Sequence, residues 1–344
     1  MTSIERFLAT IERRPVDRPA FWLGLPVPGA IPALLRHFGA TDLRDLYVKA
    51  GDDVYPIEFP YHSPAGDAIY LAFDWVGAGK QDDEHRTLGG EGFFAGAEDV
   101  AKVAEFPWPD PAQYIDRAQC RRNAEAAPPG RANLGMVWSC HFQDACAAFG
   151  MENALIALYE QPHLFRAVMD RITDFYLRAN GIFYEATRGH LHAVLLGNDY
   201  GSQTGLMLSR AQIAEFALPW TRKLVEQAHA HGLKVIHHSC GAIRDLIPDL
   251  IALGVDAIHP IQALAKGMDA AGLKREFGNQ VSFCGGIDAQ ELLVHGTPDQ
   301  MRAKVRELRR LFPTGLVLSP SHEAILPDVP QANVSAMIEA ALER

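Results

Sequence analysis

The chain has 344 residues, 48% hydrophobic and 22% charged, with 32 Lys and Arg against 42 Asp and Glu and a net charge of −10. Those proportions suit a globular chain with apolar surface for a substantial core and exclude a disordered one. The acidic balance, without a Lys or Arg block longer than a pair, argues against nucleic acid as a partner, and no run approaches the roughly 20 apolar residues of a bilayer-spanning helix.

Ile4, Phe7, Leu8 and Ile11 share one helical face and predict an amphipathic N-terminal helix. Residues 1–14 lack a basic segment followed by an apolar run and a small-residue cleavage site, so no secretory signal is expected and the cytoplasm is the expected compartment. Strands are expected at 19–25, 54–59, 133–140, 193–199, 234–240, 257–262, 281–287 and 316–320. Ser209 is placed to cap a helix running toward a stop at Gly232. Thr297 with Pro298 opens another ending near Phe312, and Asn333 caps a last one reaching Arg344.

Strand and helix alternation makes a parallel sheet covered by helices, and eight repeats in a chain of this length predict a (β/α)8 TIM barrel. A doubly wound open sheet is the alternative, but no Gly-x-Gly-x-x-Gly turn follows the first strand. One turn-rich, charged stretch, about 61–130 and including the glycines of 77–92, interrupts the alternation. It reads as an irregular insertion after the second strand: a hairpin over the barrel mouth, a swapped arm or a dimer contact. No linker divides the chain into two domains.

In such a barrel, chemistry collects at the C-terminal strand ends. Glu58 ends the second strand, Cys140 and His141 the third, Asn198-Asp199-Tyr200 the fourth, His237-His238-Ser239-Cys240 the fifth, His259 and Gln262 the sixth, Cys284 and Asp288 the seventh, and His322-Glu323 the eighth. Side chains alternate along a strand, so His238 and Cys240 point together toward the mouth and His237 points away. Imidazole and thiolate suit a borderline-soft cation such as zinc. Catalytic zinc takes three protein ligands, and His322 and Cys284 are the candidates for the third. The plain alternative is a chance His-x-Cys pair with cysteine packed as a small hydrophobe. Asp199 is expected to act as acid or base, as a substrate clamp or as the group that orients a metal-bound imidazole, its plain role being to cap the following turn. Glu58, Asn198, Tyr200, Gln262 and Glu323 are the expected substrate contacts. His229 and His231 suit a helix C-terminus. Five scattered cysteines make no disulfide framework, and Trp75, Trp108 and Trp220 read as packing residues.

Val235-Ile236-His237-His238-Ser239-Cys240-Gly241, Gly254-Val255-Asp256, Gly285-Gly286-Ile287-Asp288 and Ser319-Pro320-Ser321-His322, followed by Ile325-Leu326-Pro327-Asp328-Val329-Pro330-Gln331-Ala332-Asn333-Val334, resemble the uroporphyrinogen decarboxylase superfamily. The likeness is strongest from Asn198 onward, and Glu5-Arg6-Phe7 with Asp17-Arg18-Pro19 extends it to the N-terminal end. It implies the same barrel. The decarboxylases themselves use no metal and carry an Arg-rich segment after the first strand and an Asp at the end of the second. Here the first loop, Leu25-Pro26-Val27-Pro28-Gly29-Ala30-Ile31, has no arginine and the second strand ends in Glu58-Phe59-Pro60. A substrate with many carboxylates also wants a basic pocket, and the strand ends offer no basic concentration.

The superfamily's other branch comprises zinc-dependent methyltransferases that serve corrinoid proteins, with a His-x-Cys pair and a third ligand, usually Cys, after the last strand. His238 and Cys240 match the pair, His322 stands where the third ligand falls, and Cys284 is a further candidate. The resemblance implies a zinc enzyme that passes a methyl group between a small substrate and a corrinoid or a thiol acceptor. This chain has no Asp-x-His-x-x-Gly segment, so the corrinoid is expected on a separate protein. A metal-free decarboxylase or other lyase using Asp199 or His238 is the competing expectation, and a barrel that binds without turnover is a third.

Overall fold

A computed structural model describes residues 1–80 and 90–343; the centre of the 77–92 stretch and Arg344, the expected end of the last helix, lie outside the described residues. All eight expected strand regions form strands: β1 (Ala20–Phe21), β2 (Val54–Glu58), β3 (Ala132–Trp138), β4 (Ala193–Gly197), β5 (Lys234–His238), β6 (Ala257–Ile261), β7 (Ser282–Ile287) and β8 (Leu316–Pro320). They pair in the order β1-β8-β7-β6-β5-β4-β3-β2, every pair parallel. Helices flank the sheet, which is the arrangement of a (β/α)8 TIM barrel.

The seam between β1 and β2 is closed largely by two carboxylates. The Asp53 amide donates to the Phe21 carbonyl at 3.0 Å, while Asp53 Oδ2 accepts from the Phe21 amide at 2.9 Å and Asp52 Oδ1 from the Leu23 amide at 2.7 Å. The helix Ser3–Ile11, opened by a capping box between Thr2 and Glu5, seals the N-terminal end. Phe7 and Ile11 join the inner core with Trp22, Leu134, Leu195, Ile236 and Val317. Ser282 Oγ at the start of β7 donates to the carbonyl of Ile11 at 2.8 Å. With that end plugged by apolar side chains, the opposite end, where the strands finish, is left for chemistry.

Three local expectations change. The helix after Ser209 breaks into Arg210–Phe216 and Leu218–Ala230, because Pro219 lacks an N–H and its ring blocks the preceding turn. Asn333 is not a cap: the last helix, Gln331–Leu342, starts after Pro330, and Asn333 is buried with its amide donating to the carbonyls of Leu293 and Gly296 at 2.9 and 2.8 Å. The segment after β2 shows no hairpin among its described residues. It forms short 3-10 turns at Ile69–Leu71, Val100–Ala104 and Pro111–Gln113 and the helix Arg117–Glu125. Its rings cluster instead: Phe73 stacks on Trp75 at 4.7 Å, and Trp75 on Phe106 at 4.6 Å. Phe73 also packs edge-on against Phe175 of the helix Pro162–Ala186 at 4.8 Å. Among the described residues no helix is long and apolar enough to cross a membrane.

Candidate metal centre

Four strand ends and the turns after them converge on one point of the mouth. β5 ends at His238 in register with Gly197 of β4 and His259 of β6, so the His238 and His259 rings share a layer of the interior. Beyond His238 the chain leaves the sheet, and its hydrogen bonds pass to side chains. The Cys240 amide donates to Asp199 Oδ1 at 2.8 Å and the Gly241 amide to Gln262 Oε1 at 2.6 Å. Gly241 has φ +87°, and a Cβ there would lie 2.4 Å from the Gly201 backbone, so only glycine allows this turn to bring Cys240 under Asp199. The turn after β8 is placed likewise: Gly24, φ +93°, lets the Glu323 carbonyl approach to where a Cβ would stand 2.3 Å away. Leu25–Pro26 then pairs with Ala324–Ile325 beside the mouth.

Two compact donor groups result, both containing His238. One ligand atom each from Asp199, His238 and Cys240 lies within 4.8 Å of the others, and the same holds for His238, His259 and Glu323. On one side of the ring, His238 Nε2 is 3.4 Å from Cys240 Sγ and 3.4 Å from Asp199 Oδ1. On the other, His238 Nδ1 is 2.8 Å from His259 Nδ1 and 3.5 Å from Glu323 Oε2. His322, almost half exposed, stands over the group with its ring edge-on to His238 at 6.1 Å and its Nδ1 3.7 Å from Glu323 Oε2.

The electrostatics ready the two anionic donors, thiolate and carboxylate, and draw the imidazole between them toward its charged form, whose proton a bound cation would have to displace. Burial works against the Cys240 thiolate, but hydrogen bonds from His238 and His322 outweigh it and pull the thiol below its usual range. Burial also opposes ionisation of Asp199, yet His238 and the Cys240 amide hold its pKa at about 2. His238 is drawn well above the ordinary imidazole value, against its burial, by Glu323, Asp199 and Cys240. His259 is pushed well below it by burial and by neighbouring His238. Imidazole, thiolate and carboxylate together fit a zinc-like ion. The His259 and Glu323 side of the ring fits the partner role that fixes the tautomer of a metal-binding histidine.

Asp199, His238, Cys240 and Glu323 therefore come together, with His322 beside them. Gln262 is near but is used by the Gly241 amide. Asn198 is buried, accepting from the Phe142 amide at 2.8 Å and bonding His141 Nδ1 at 3.0 Å. Tyr200 is buried with its hydroxyl on Thr221 at 3.2 Å. Cys284 belongs to the inner core, 3.4 Å from Ser319 Oγ, with burial driving its thiol up to about 12. Two members had no donor or contact role in the sequence reading. His259 carries the same signal as His238, a strand-end histidine in phase with it, while Gln143 Nε2, donating to Asp199 Oδ2 at 3.2 Å, comes from a helix and leaves no such signal.

His237 faces the helix layer, stacked on Tyr200 at 5.9 Å. It is fully buried, and neither ring nitrogen meets a hydrogen-bond partner; burial above all pushes its pKa down to about 3. His237→Phe is therefore expected to raise the unfolding free energy by about 1–2 kcal/mol, since it removes unsatisfied polar atoms at similar volume. A denaturation midpoint that fell instead would show that the ring nitrogens are engaged.

Beside the donors opens a cavity of about 680 Å³ walled by Trp138, Tyr70, Tyr55, Tyr47 and Met136, with Glu58 at its edge. Trp138 links the two, its ring edge-on to His238 at 5.7 Å.

The sequence profile of the uroporphyrinogen decarboxylase (URO-D) family matches residues 97–344. Over 193 residues, 53% of this chain and 49% of the relative, the sequence is 28% identical to a uroporphyrinogen decarboxylase of Syntrophotalea carbinolica. Over 161 residues, 46% of this chain and 40% of the relative, it is 27% identical to a methylated-thiol-coenzyme M methyltransferase of Methanosarcina mazei. The chain thus spans half or less of the length of these curated relatives. Among solved structures, a methyltransferase from Methanosarcina mazei superposes with a TM-score of 0.73 at 17% identity, covering 99% of this chain and 98% of that one; at that identity the likeness speaks for the fold.

Proposed function

The chain belongs to the uroporphyrinogen decarboxylase family, and from that premise we propose that it is a methyltransferase of the superfamily, moving a methyl group between a small methylated substrate and a corrinoid protein or a thiol acceptor. The observation that carries this reading is the convergence at the barrel mouth of His238 and Cys240 with Asp199 against both, one ligand atom of each lying within 4.8 Å of the others. The name of the Methanosarcina mazei relative supports the same chemistry.

Zinc is the cofactor proposed, with His238, Cys240 and His322 as ligands; when bound it would supply a Lewis acid that lowers the pKa of a thiol or polarises a methyl-bearing oxygen. Asp199 is assigned the positioning role because both its oxygens are occupied. Oδ1 accepts from the Cys240 amide and Oδ2 from Gln143, so the carboxylate holds the cysteine turn in place. Glu323 and His259 hold the His238 ring from its other nitrogen. Trp138 and the aromatic-walled cavity next to it would receive the substrate's methyl-bearing end. The corrinoid, where used, would arrive on a separate protein.

The rival reading is a metal-free decarboxylase, in line with the name of the Syntrophotalea carbinolica relative. Against it, the described residues that wall the cavity include no lysine or arginine, and a substrate with several carboxylates needs cations to meet it. The test is elemental analysis of protein purified without chelator or added metal. About one zinc per chain, together with methyl transfer to a corrinoid or thiol, is the expected result. A chain that stays metal-free after incubation with Zn²⁺ would overturn the metal-dependent reading and make Asp199 the first residue to test as an acid or base.

A further inference from the structure

The cavity beside the metal centre combines three features that the proposed chemistry does not by itself require. Its walls are aromatic faces: Trp138 and Tyr70 meet edge to face at 6.5 Å, and Tyr55 and Tyr47 at 5.7 Å. Its charge is negative. Glu58, exposed at the end of β2, has no hydrogen-bond or ion-pair partner among the described residues, whereas the other acidic wall residue, Asp67, is already paired with Lys80 at 2.6 Å. Arg44, which lies near Tyr55, is turned to the Ala126 carbonyl at 2.8 Å and leaves Glu58 uncompensated.

The third feature is strain. Trp138 and Ser139 hold φ of +50° and +56°, a left-handed conformation costing about 1–3 kcal/mol for each non-glycine residue. Strand β3 also shifts register against β4 between Met136 and Trp138. The effect is to bring the indole between the cavity and His238. Glu58 pairs in register with Met136 on β3, two residues before Trp138, and carboxylate and indole line the same cavity.

A carboxylate without a partner and electron-rich ring faces in one cavity are the chemistry that recognises a cation too large to hydrogen-bond, above all a methylated ammonium group. We propose that this cavity binds a quaternary ammonium compound as the methyl donor, its charged head against Trp138 and Tyr70 and opposed by Glu58. The proposal rests on the methyl-transfer reading above and narrows its substrate class. Such a donor suits a cavity whose described walls carry ring faces and carboxylates but no lysine or arginine. One C–N bond breaks with its electron pair kept by nitrogen, a neutral tertiary amine leaves without needing a proton, and the methyl carbon bonds to the sulfur of an anionic thiolate acceptor.

Calorimetric titration with choline and with 3,3-dimethyl-1-butanol, its neutral carbon counterpart, isolates the charge at constant shape. Choline is expected to bind at least about tenfold more tightly, as a desolvated cation over aromatic faces with an opposing carboxylate should. Glu58→Gln and Trp138→Leu should each erase most of that preference. Equal binding of the two compounds, no binding of either, tighter binding of an anionic thiol sulfonate, or a choline preference that survives Glu58→Gln would overturn the proposal. The same titration on Cys240→Ala, which lacks the proposed metal, separates the two readings. Selective choline binding in both proteins without methyl transfer to a thiol would sink the methyltransferase reading and leave the cation site standing. Turnover of neutral methyl donors without choline selectivity would do the reverse.

Discussion

Cys240→Ala is expected to leave the purified chain with less than about a tenth of the wild-type zinc and to lower methyl transfer by at least about 100-fold. Loss of a supporting partner around a metal already costs about 10–100-fold in affinity or activity, and loss of a ligand should exceed that. The geometry is the ground for expecting this of Cys240 rather than Cys284. Cys240 Sγ is 3.4 Å from His238 Nε2 and its backbone is tied to Asp199 at 2.8 Å, whereas Cys284 is sealed in the inner core against Ser319. Cys284→Ala should therefore keep its metal and lose only stability, as a small cavity in a core does. The third ligand is tested in the same series. His322→Ala should lose metal as Cys240→Ala does, and Asp199→Asn should keep more of it, because the asparagine carbonyl can still accept the Cys240 amide. If Cys240→Ala bound zinc as wild type does, the centre would have to be moved to the His238, His259 and Glu323 side of the ring, where no sulfur takes part.

The sequence disclosed the barrel and the His238–Cys240 pair for one reason: both are written in short-range periodicity. Apolar runs separated by helical segments mark eight strands without knowledge of their partners, and a two-residue spacing at a strand end fixes a shared direction. Contacts made across the barrel carry no such local mark. Asp199 and Cys240 meet because Gly241 permits a turn against Gly201, and Glu323 reaches His238 because Gly24 admits its carbonyl; each depends on a close approach between segments far apart in the chain. The same holds for His259, whose role comes from its register with His238 rather than from its neighbours in sequence. Asn198 and Tyr200 show the converse. They adjoin Asp199 in sequence, but their side chains are drawn into bonds with His141, Phe142 and Thr221 behind the strand. The break at Ala217 was legible in principle, since Pro219 stands inside an otherwise helical pattern.

Asp53→Ala is expected to destabilise the fold by about 3–5 kcal/mol, the range for removing one member of a buried ion pair and leaving its partner uncompensated. The Asp53 side chain is fully buried and meets two arginines, Arg6 Nη1 at 2.7 Å and Arg18 Nη1 at 2.6 Å, while the same carboxylate accepts from the Phe21 amide to close β1 against β2. Deleting it strands Arg18 and opens the seam of the barrel at once. Two neighbours provide the contrast. Asp17 also pairs with Arg6, at 2.7 Å, but is 44% exposed, so Asp17→Ala should cost no more than about 1 kcal/mol. Asp52, one residue before Asp53, is held well above the usual carboxylate range by burial and by the adjacent Asp53 charge, against the pull of the Leu23 amide. Its Oδ1 accepts from the Leu23 amide. An asparagine keeps that acceptor and carries no charge, so Asp52→Asn should change stability by less than about 1 kcal/mol. Thermal and denaturant unfolding of the three variants would settle the order. An Asp52→Asn as damaging as Asp53→Ala would mean that both carboxylates are ionised, and that the arginines at the base of the barrel serve the two together.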